Sequence, residues 1–99
     1  MPKRNEYSLK LKINNRILSR VVIDQHYRLK HPEMNDELIL ELVSSLNEGN
    51  FVIENEKNGF EYFTVDPVVL NEKPYRLVLL LYVFDDFLGV VNAFRVKRK

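Results

Sequence analysis

Both histidines of the chain lie in one short stretch, Asp24-Gln25-His26-Tyr27-Arg28-Leu29-Lys30-His31-Pro32-Glu33. Read as a helix, it sets His26 and Lys30 one turn apart on a shared face. A cation beside an imidazole favours the neutral form that a general base needs. The alternative is a solvated basic helix in which a histidine only packs or caps. A second chemical feature lies in the last third. Tyr75 to Phe84 is an almost unbroken apolar run, and Leu88 to Val96 reads as its antiparallel partner beyond Asp85-Asp86. With a loop of two or four residues, Arg76, Val78, Leu80 and Tyr82 share a face with Gly89, Val91, Ala93 and Arg95. Leu77, Leu79, Leu81 and Val83 then share the other face with Leu88, Val90, Asn92 and Phe94. Arg76 and Arg95 stand opposite or diagonal, with small residues between them and Tyr82 at the edge. Like charges so placed repel. Either a glutamate such as Glu54 or Glu61 sits between them, in a structural role, or an anion such as phosphate does, for which arginine is well shaped.

Other chemistries lack their residues. There is no cysteine, which removes disulfides and thiolate metal sites. Two histidines five apart, the second beside a proline, do not make the i, i+4 pair of a helical zinc motif. The three glycines are not clustered, so no phosphate-cradling loop is present, and no serine sits in a G-x-S-x-G elbow. No metal and no cofactor are expected.

Ninety-nine residues are enough for one domain and one core. The apolar run at 75–84 is too short to span a bilayer, and the first residues lack the apolar stretch of a secretory signal, so a cytoplasmic location without membrane contact is expected. Charge is unevenly spread. Residues 1–31 carry eight Lys/Arg against two carboxylates, residues 32–74 two against ten, and residues 75–99 five against two. If the outer segments meet in space, the molecule has a basic side suited to an anionic partner and an acidic side suited to a basic one.

The elements that must position these residues follow from periodicity. Tyr7 to Ile13 alternates as a half-buried strand, Asn14-Asn15 suits a tight turn, and Arg16 to Ile23 is the return strand. Asp24 can cap a short helix over 25–30, and Pro32 interrupts it. Asn35 or Asp36 starts a stronger helix, with Asp36 and Glu37 favouring the helix dipole and Leu38, Ile39, Leu42, Val43 and Leu46 on one stripe; Gly49 is the expected stop. Phe51–Asn55 and Phe60–Val65 flank Asn58-Gly59, a hairpin signal, and Asp66-Pro67 breaks the strand. The expected fold is α+β, in the order β-β-α-α-β-β-β-β, with two helices on one face of an antiparallel sheet.

The stretches His-Tyr-x-x-x-His-Pro-Glu, Pro-Tyr-Arg-Leu-Val and Val-Val-Asn-Ala-Phe-Arg-Val, at 26–33, 74–78 and 90–96, carry a resemblance. Over residues 24–97 the chain resembles the barnase–EndoU–colicin–RelE-like nuclease superfamily, including its phage-associated and small-toxin branches. That implies two helices and a four-stranded antiparallel meander, with residues 1–23 as an added hairpin. It also implies an RNase or RNase-like toxin that works without a metal: the ribose 2′-hydroxyl attacks the adjacent phosphate, which requires a base, an acid and cations. His26 or His31 would take the helical role, Arg76 the central-strand arginine, and Asn92 or Arg95 the polar position of the last strand. Lys30, Arg28 and Tyr82 would contact RNA, and Glu54 or Glu61 could serve as a carboxylate base. The competing expectation is a non-enzymatic immunity or antitoxin-like protein whose acidic middle binds a cognate basic partner.

Overall fold

Three two-residue turns organise the chain, and each holds both central residues at positive φ: Asn14-Asn15, Asn58-Gly59 and Asn71-Glu72. This is the backbone twist that suits tight hairpins, and asparagine and glycine tolerate it best. The first turn joins β1 (Arg4–Ile13) to β2 (Arg16–Asp24), the second joins β3 (Asn55–Lys57) to β4 (Phe60–Leu70), and the third joins β4 to β5 (Lys73–Tyr82). Between the first and second hairpins come a 3-10 helix, Gln25–Leu29, and helix α1, Asp36–Ser44. Strand β6 (Phe87–Arg95) closes the chain. The structure is a computed structural model and describes residues 3–97.

The six strands form one mixed sheet in the order β1-β2-β6-β5-β4-β3. This corrects the expectation of two helices packed on an antiparallel sheet with a four-stranded nuclease-like meander. Among the described residues there is one α-helix, and the 25–30 stretch winds only into a 3-10 turn, because too few residues precede Pro32 to propagate a helix. The N-terminal hairpin is no appendage. Its strand β2 pairs in parallel with β6 over Arg20–Ile23 and Phe87–Val90, which makes β6 a central strand.

The core lies between α1 and one face of this sheet. Leu77, Leu79 and Leu81 are fully covered there, together with Phe63, Val21, Ile23, Leu88, Val90 and Ala93. Ile39, Leu42, Val43 and Leu46 meet them from the helix side, as the apolar stripe requires. Leu79→Ala should therefore cost about 2–5 kcal/mol, read from urea unfolding, since the cavity would open in the middle of the packed layer.

Several local expectations are corrected. Phe51 to Ile53 do not pair with β4. The Asn14 side chain takes up the Phe51 backbone instead, accepting from its N–H at 2.6 Å and donating to its carbonyl at 3.0 Å, and the Phe51 ring packs on Phe63. Strand β4 does not stop at Asp66-Pro67 but runs through a cis bond, with a register shift between Val65 and Val68, as far as Leu70. Helix α1 ends at Ser44, short of Gly49, whose backbone bridges to Ile13.

Asp36 is the polar centre of the helix-side layer. Only 7% exposed, it accepts hydrogen bonds from Asn5 Nδ2 and Tyr7 Oη of β1, from Gln25 Nε2 and Tyr27 Oη of the 3-10 helix, and a longer contact from Arg28. Burial raises its pKa, but the bonds from Tyr27, Tyr7, Asn5 and Gln25 outweigh that and hold it at about 2. The same site pushes both tyrosines up, Tyr27 mainly by burial and Tyr7 mainly by its bond to Asp36.

Candidate functional site

The sheet face opposite α1 carries the residues with chemical potential, and a bulge decides which they are. Val78 pairs with Asn92 but Leu79 pairs with Val90, so Val91 is an extra residue in β6. Before the bulge, Leu88 and Val90 face the core as expected. After it the alternation is inverted. Asn92 and Phe94 join Val78 and Arg76 on the open face, while Ala93 and Arg95 turn to the helix side opposite Leu77 and Tyr75. Arg76 and Arg95 therefore lie on opposite faces, and the expected two-arginine phosphate site does not form. Asn92, expected on the helix side, stands diagonal to Arg76 instead.

His31 reaches this face around an unpaired stretch of strand edge. Strand β2 leaves β6 after the Ile23–Val90 pair, and residues 25–33 run beside what remains of β6. The Arg95 N–H points to Glu33 Oε2 at 3.4 Å, and the His31 N–H donates to the Tyr27 carbonyl at 2.8 Å. So held, the His31 ring stacks on Phe94, with centroids 4.8 Å apart and planes 21° from parallel. Phe94 is directly cross-strand from Arg76. The Glu33 carboxylate is 3.9 Å from His31 Nδ1, and Asp66 is 4.0 Å from Arg76 Nε. The Asn92 carbonyl oxygen accepts from the Ala93 N–H at 3.0 Å, which orients its amide nitrogen away as a donor. The imidazole stacked on Phe94 thus shares one sheet face with the Asn92 carboxamide and with Arg76 on the neighbouring strand, whose Nε faces Asp66 of β4.

The remaining candidate residues lie elsewhere. His26 and Lys30 do not share a face, since in a 3-10 helix the residue aligned with His26 is Leu29. His26 and Lys30 are both exposed. Arg28 is committed to Asp36, Gln25 and the Tyr27 ring. Glu61 pairs with Arg16 at 2.5 Å, and Glu54 accepts from the Thr64 N–H, so neither neutralises Arg76. Tyr82 does lie on the open face, in an aromatic group missed by the sequence reading. Its ring stacks on Phe60 at 4.4 Å, meets Phe84 edge-on at 5.4 Å and lies 6.2 Å from Phe87, with Tyr62 beyond Phe60. Period-2 alternation of Phe60 and Tyr62 out of the Asn58-Gly59 turn was the signal available for it.

Between this aromatic wall and β1–β2 lies a depression of about 600 Å³. Its floor is Gly89, where a side chain would collide with Leu80, and its far rim holds Arg4, Glu6, Arg20 and Asp24. Arg20 bonds to Glu6 at 2.7 Å and to Asp85 at 2.7 Å, and its guanidinium lies over Phe87. Asp85 is pulled below the usual carboxylate range chiefly by that bond from Arg20.

The parallel β2–β6 pairing brings the two basic segments together. Much of their charge is balanced locally, because Arg16, Arg20 and Arg28 each have a carboxylate partner. Arg98 and Lys99, counted in the basic C-terminal segment, lie outside the described residues. Among the described residues no helix is long and apolar enough to cross a membrane. The chain matches no protein-family model, no curated protein and no solved structure with which it was compared.

Proposed function

We propose that this protein binds RNA on its open sheet face and cleaves it by attack of a ribose 2′-hydroxyl on the adjacent phosphate. The observation that carries the reading is the stacking of His31 on Phe94, on the sheet face that also carries Asn92 and Arg76. Each group matches one need of the reaction. His31 takes the proton of the 2′-hydroxyl, whose oxygen then attacks phosphorus. As the bond to the 5′-oxygen breaks, that oxygen on the far side of phosphorus takes a proton from solvent, giving a cyclic phosphate end and a free hydroxyl, and the imidazolium releases its own proton to solvent. Arg76 offers two N–H groups to the charge gathering on the phosphate oxygens, and the Asn92 amide adds a neutral donor. Glu33 steadies the ring that must exchange the proton.

A second reading has its own observation. Glu37 and Glu41 are exposed on α1, on the side of the molecule away from this cluster, and would suit a basic protein partner. The two readings separate in one experiment. Purified protein is incubated with end-labelled single-stranded RNA in EDTA, beside Arg76→Ala. Cleavage by the wild type to cyclic-phosphate ends, slowed at least about tenfold in the variant, supports the nuclease reading, because one charge-assisted phosphate contact is worth roughly 1.5–3 kcal/mol. Intact RNA with both proteins would refute it.

A further inference from the structure

We infer that the depression over Gly89 is a nucleobase subsite, so that the RNA taken by this face is single-stranded and one base is read beside the scissile phosphate. The inference rests on the nuclease reading above and assigns its substrate class. One wall of the depression is aromatic, formed by Phe60, Tyr62 and Phe87. These rings are half-buried; Phe60 stacks on Tyr82 and the Arg20 guanidinium lies over Phe87, while Tyr62 is only tilted against Phe60. The opposite rim offers both hydrogen-bond donors and acceptors through Arg4, Glu6 and Asp24. A nucleobase has this two-sided character, with apolar faces to stack and polar edges to bond.

The floor explains the room. At Gly89 a Cβ would sit 2.6 Å from a Leu80 methyl carbon, so the absence of a side chain lets Leu80 lie down over the glycine and keeps the floor low. The volume of about 600 Å³ falls in the range of roughly 300–1,000 Å³ usual for sites that take small planar ligands.

Charge and distance assign phosphate and base to different places. The rim carries as many arginines as carboxylates, with Arg20 bonded to Glu6 and Arg4 cross-strand from Asp24, so it has no excess positive charge to hold a phosphate, while its carboxylates can accept from the amino and imino groups of a base. Arg76 lies further along the face, cross-strand from the Phe94 on which His31 stacks. From Val91, in the depression, to Phe94, at the cluster, is three residues of strand, roughly 10 Å at about 3.3 Å per residue. A single nucleotide can bridge that span. In a duplex the bases are stacked inward and cannot enter.

The test separates binding from cleavage. The probe is a fluorescein-labelled 2′-O-methyl RNA octamer, which has no attacking hydroxyl, followed by fluorescence anisotropy. Tyr62→Ala should weaken its binding about ten- to hundredfold, the usual loss when a base loses its stacking ring. Tyr62→Phe keeps a ring and should bind within about twofold of wild type. The same octamer annealed to its complement should compete poorly. Equal affinity of Tyr62→Ala and wild type, equal competition by the duplex, or no binding of the octamer would each overturn the subsite. If the octamer binds with this Tyr62 dependence while unmodified RNA stays intact, the subsite stands and the cleavage reading fails.

Discussion

Replacing Asp36 by alanine is expected to destabilise the fold by about 3–5 kcal/mol, because several buried or half-buried donors lose one shared acceptor at once. The side chain ties three separate segments together: Asn5 and Tyr7 from β1, Gln25 and Tyr27 from the 3-10 helix, and the first turn of α1. No water can easily replace it at Tyr27, whose ring is 1% exposed and whose hydroxyl donates to Asp36 at 2.6 Å. Asp36→Asn keeps one acceptor oxygen but turns an N–H2 toward existing donors, so it should fall between wild type and alanine. The pH dependence follows with a definite sign. A carboxyl lowered from its ordinary 3.8 to about 2 by these bonds binds its proton more readily in the unfolded chain. Its contribution, roughly 2 kcal/mol, is fully present above about pH 4 and disappears as pH falls through about 2. Unfolding free energies from urea titrations between pH 5 and pH 2 should drop for the wild type by that amount more than for Asp36→Ala. A variant within about 1 kcal/mol of wild type, with an equal acid slope, would show that the hub only decorates the fold.

The same hub shows what could be read in advance and what could not. Local grammar was legible. The asparagine turns, the return strand, the Asp24 and Asn35 caps and the helix stripe all follow from neighbouring residues, and the caps accept from the His26 and Leu38 N–H groups as such caps do. Leu77, Leu79 and Leu81 facing the helix also follows, from strict alternation. The failures are non-local. Nothing near Asp36 in sequence announces Tyr7 or Tyr27 as partners, so a helix-dipole role was all that its position suggested. The parallel contact of β2 with β6 joins segments more than sixty residues apart, and no turn chemistry records it. The single extra residue at Val91 has no glycine or proline to mark it, yet it exchanges Asn92 and Phe94 for Ala93 and Arg95 on the open face. A period of two makes every later position depend on that one count. The candidate site thus turned on the one feature of β6 that its own composition hides, and His31 entered it only because β2 stops short and leaves an edge to go around.

His31→Phe should slow RNA cleavage by about 10²- to 10⁴-fold, the range over which a positioned proton-transfer group usually acts, while leaving the fold and RNA affinity nearly unchanged. Phenylalanine is chosen because the imidazole has two separable duties. It stacks on Phe94, and a phenyl ring can keep that contact. In the proposed reaction it also exchanges a proton, which a phenyl ring cannot do. Alanine would remove both and confuse a loosened edge with lost chemistry. The arginines supply the matching pair of controls. Arg76 is cross-strand from Phe94 on the open face, so Arg76→Ala should weaken both binding and turnover. Arg95 has its side chain on the helix side, opposite Tyr75, so Arg95→Ala should alter neither by more than about twofold. A metal-free cleavage assay with end-labelled RNA, paired with anisotropy on the 2′-O-methyl octamer, reads rate and affinity separately. Full activity in His31→Phe would remove the imidazole from the chemistry, because a stacking ring alone would then suffice. A loss in Arg95→Ala equal to that in Arg76→Ala would be as damaging, since no single phosphate can sit on both faces of one sheet.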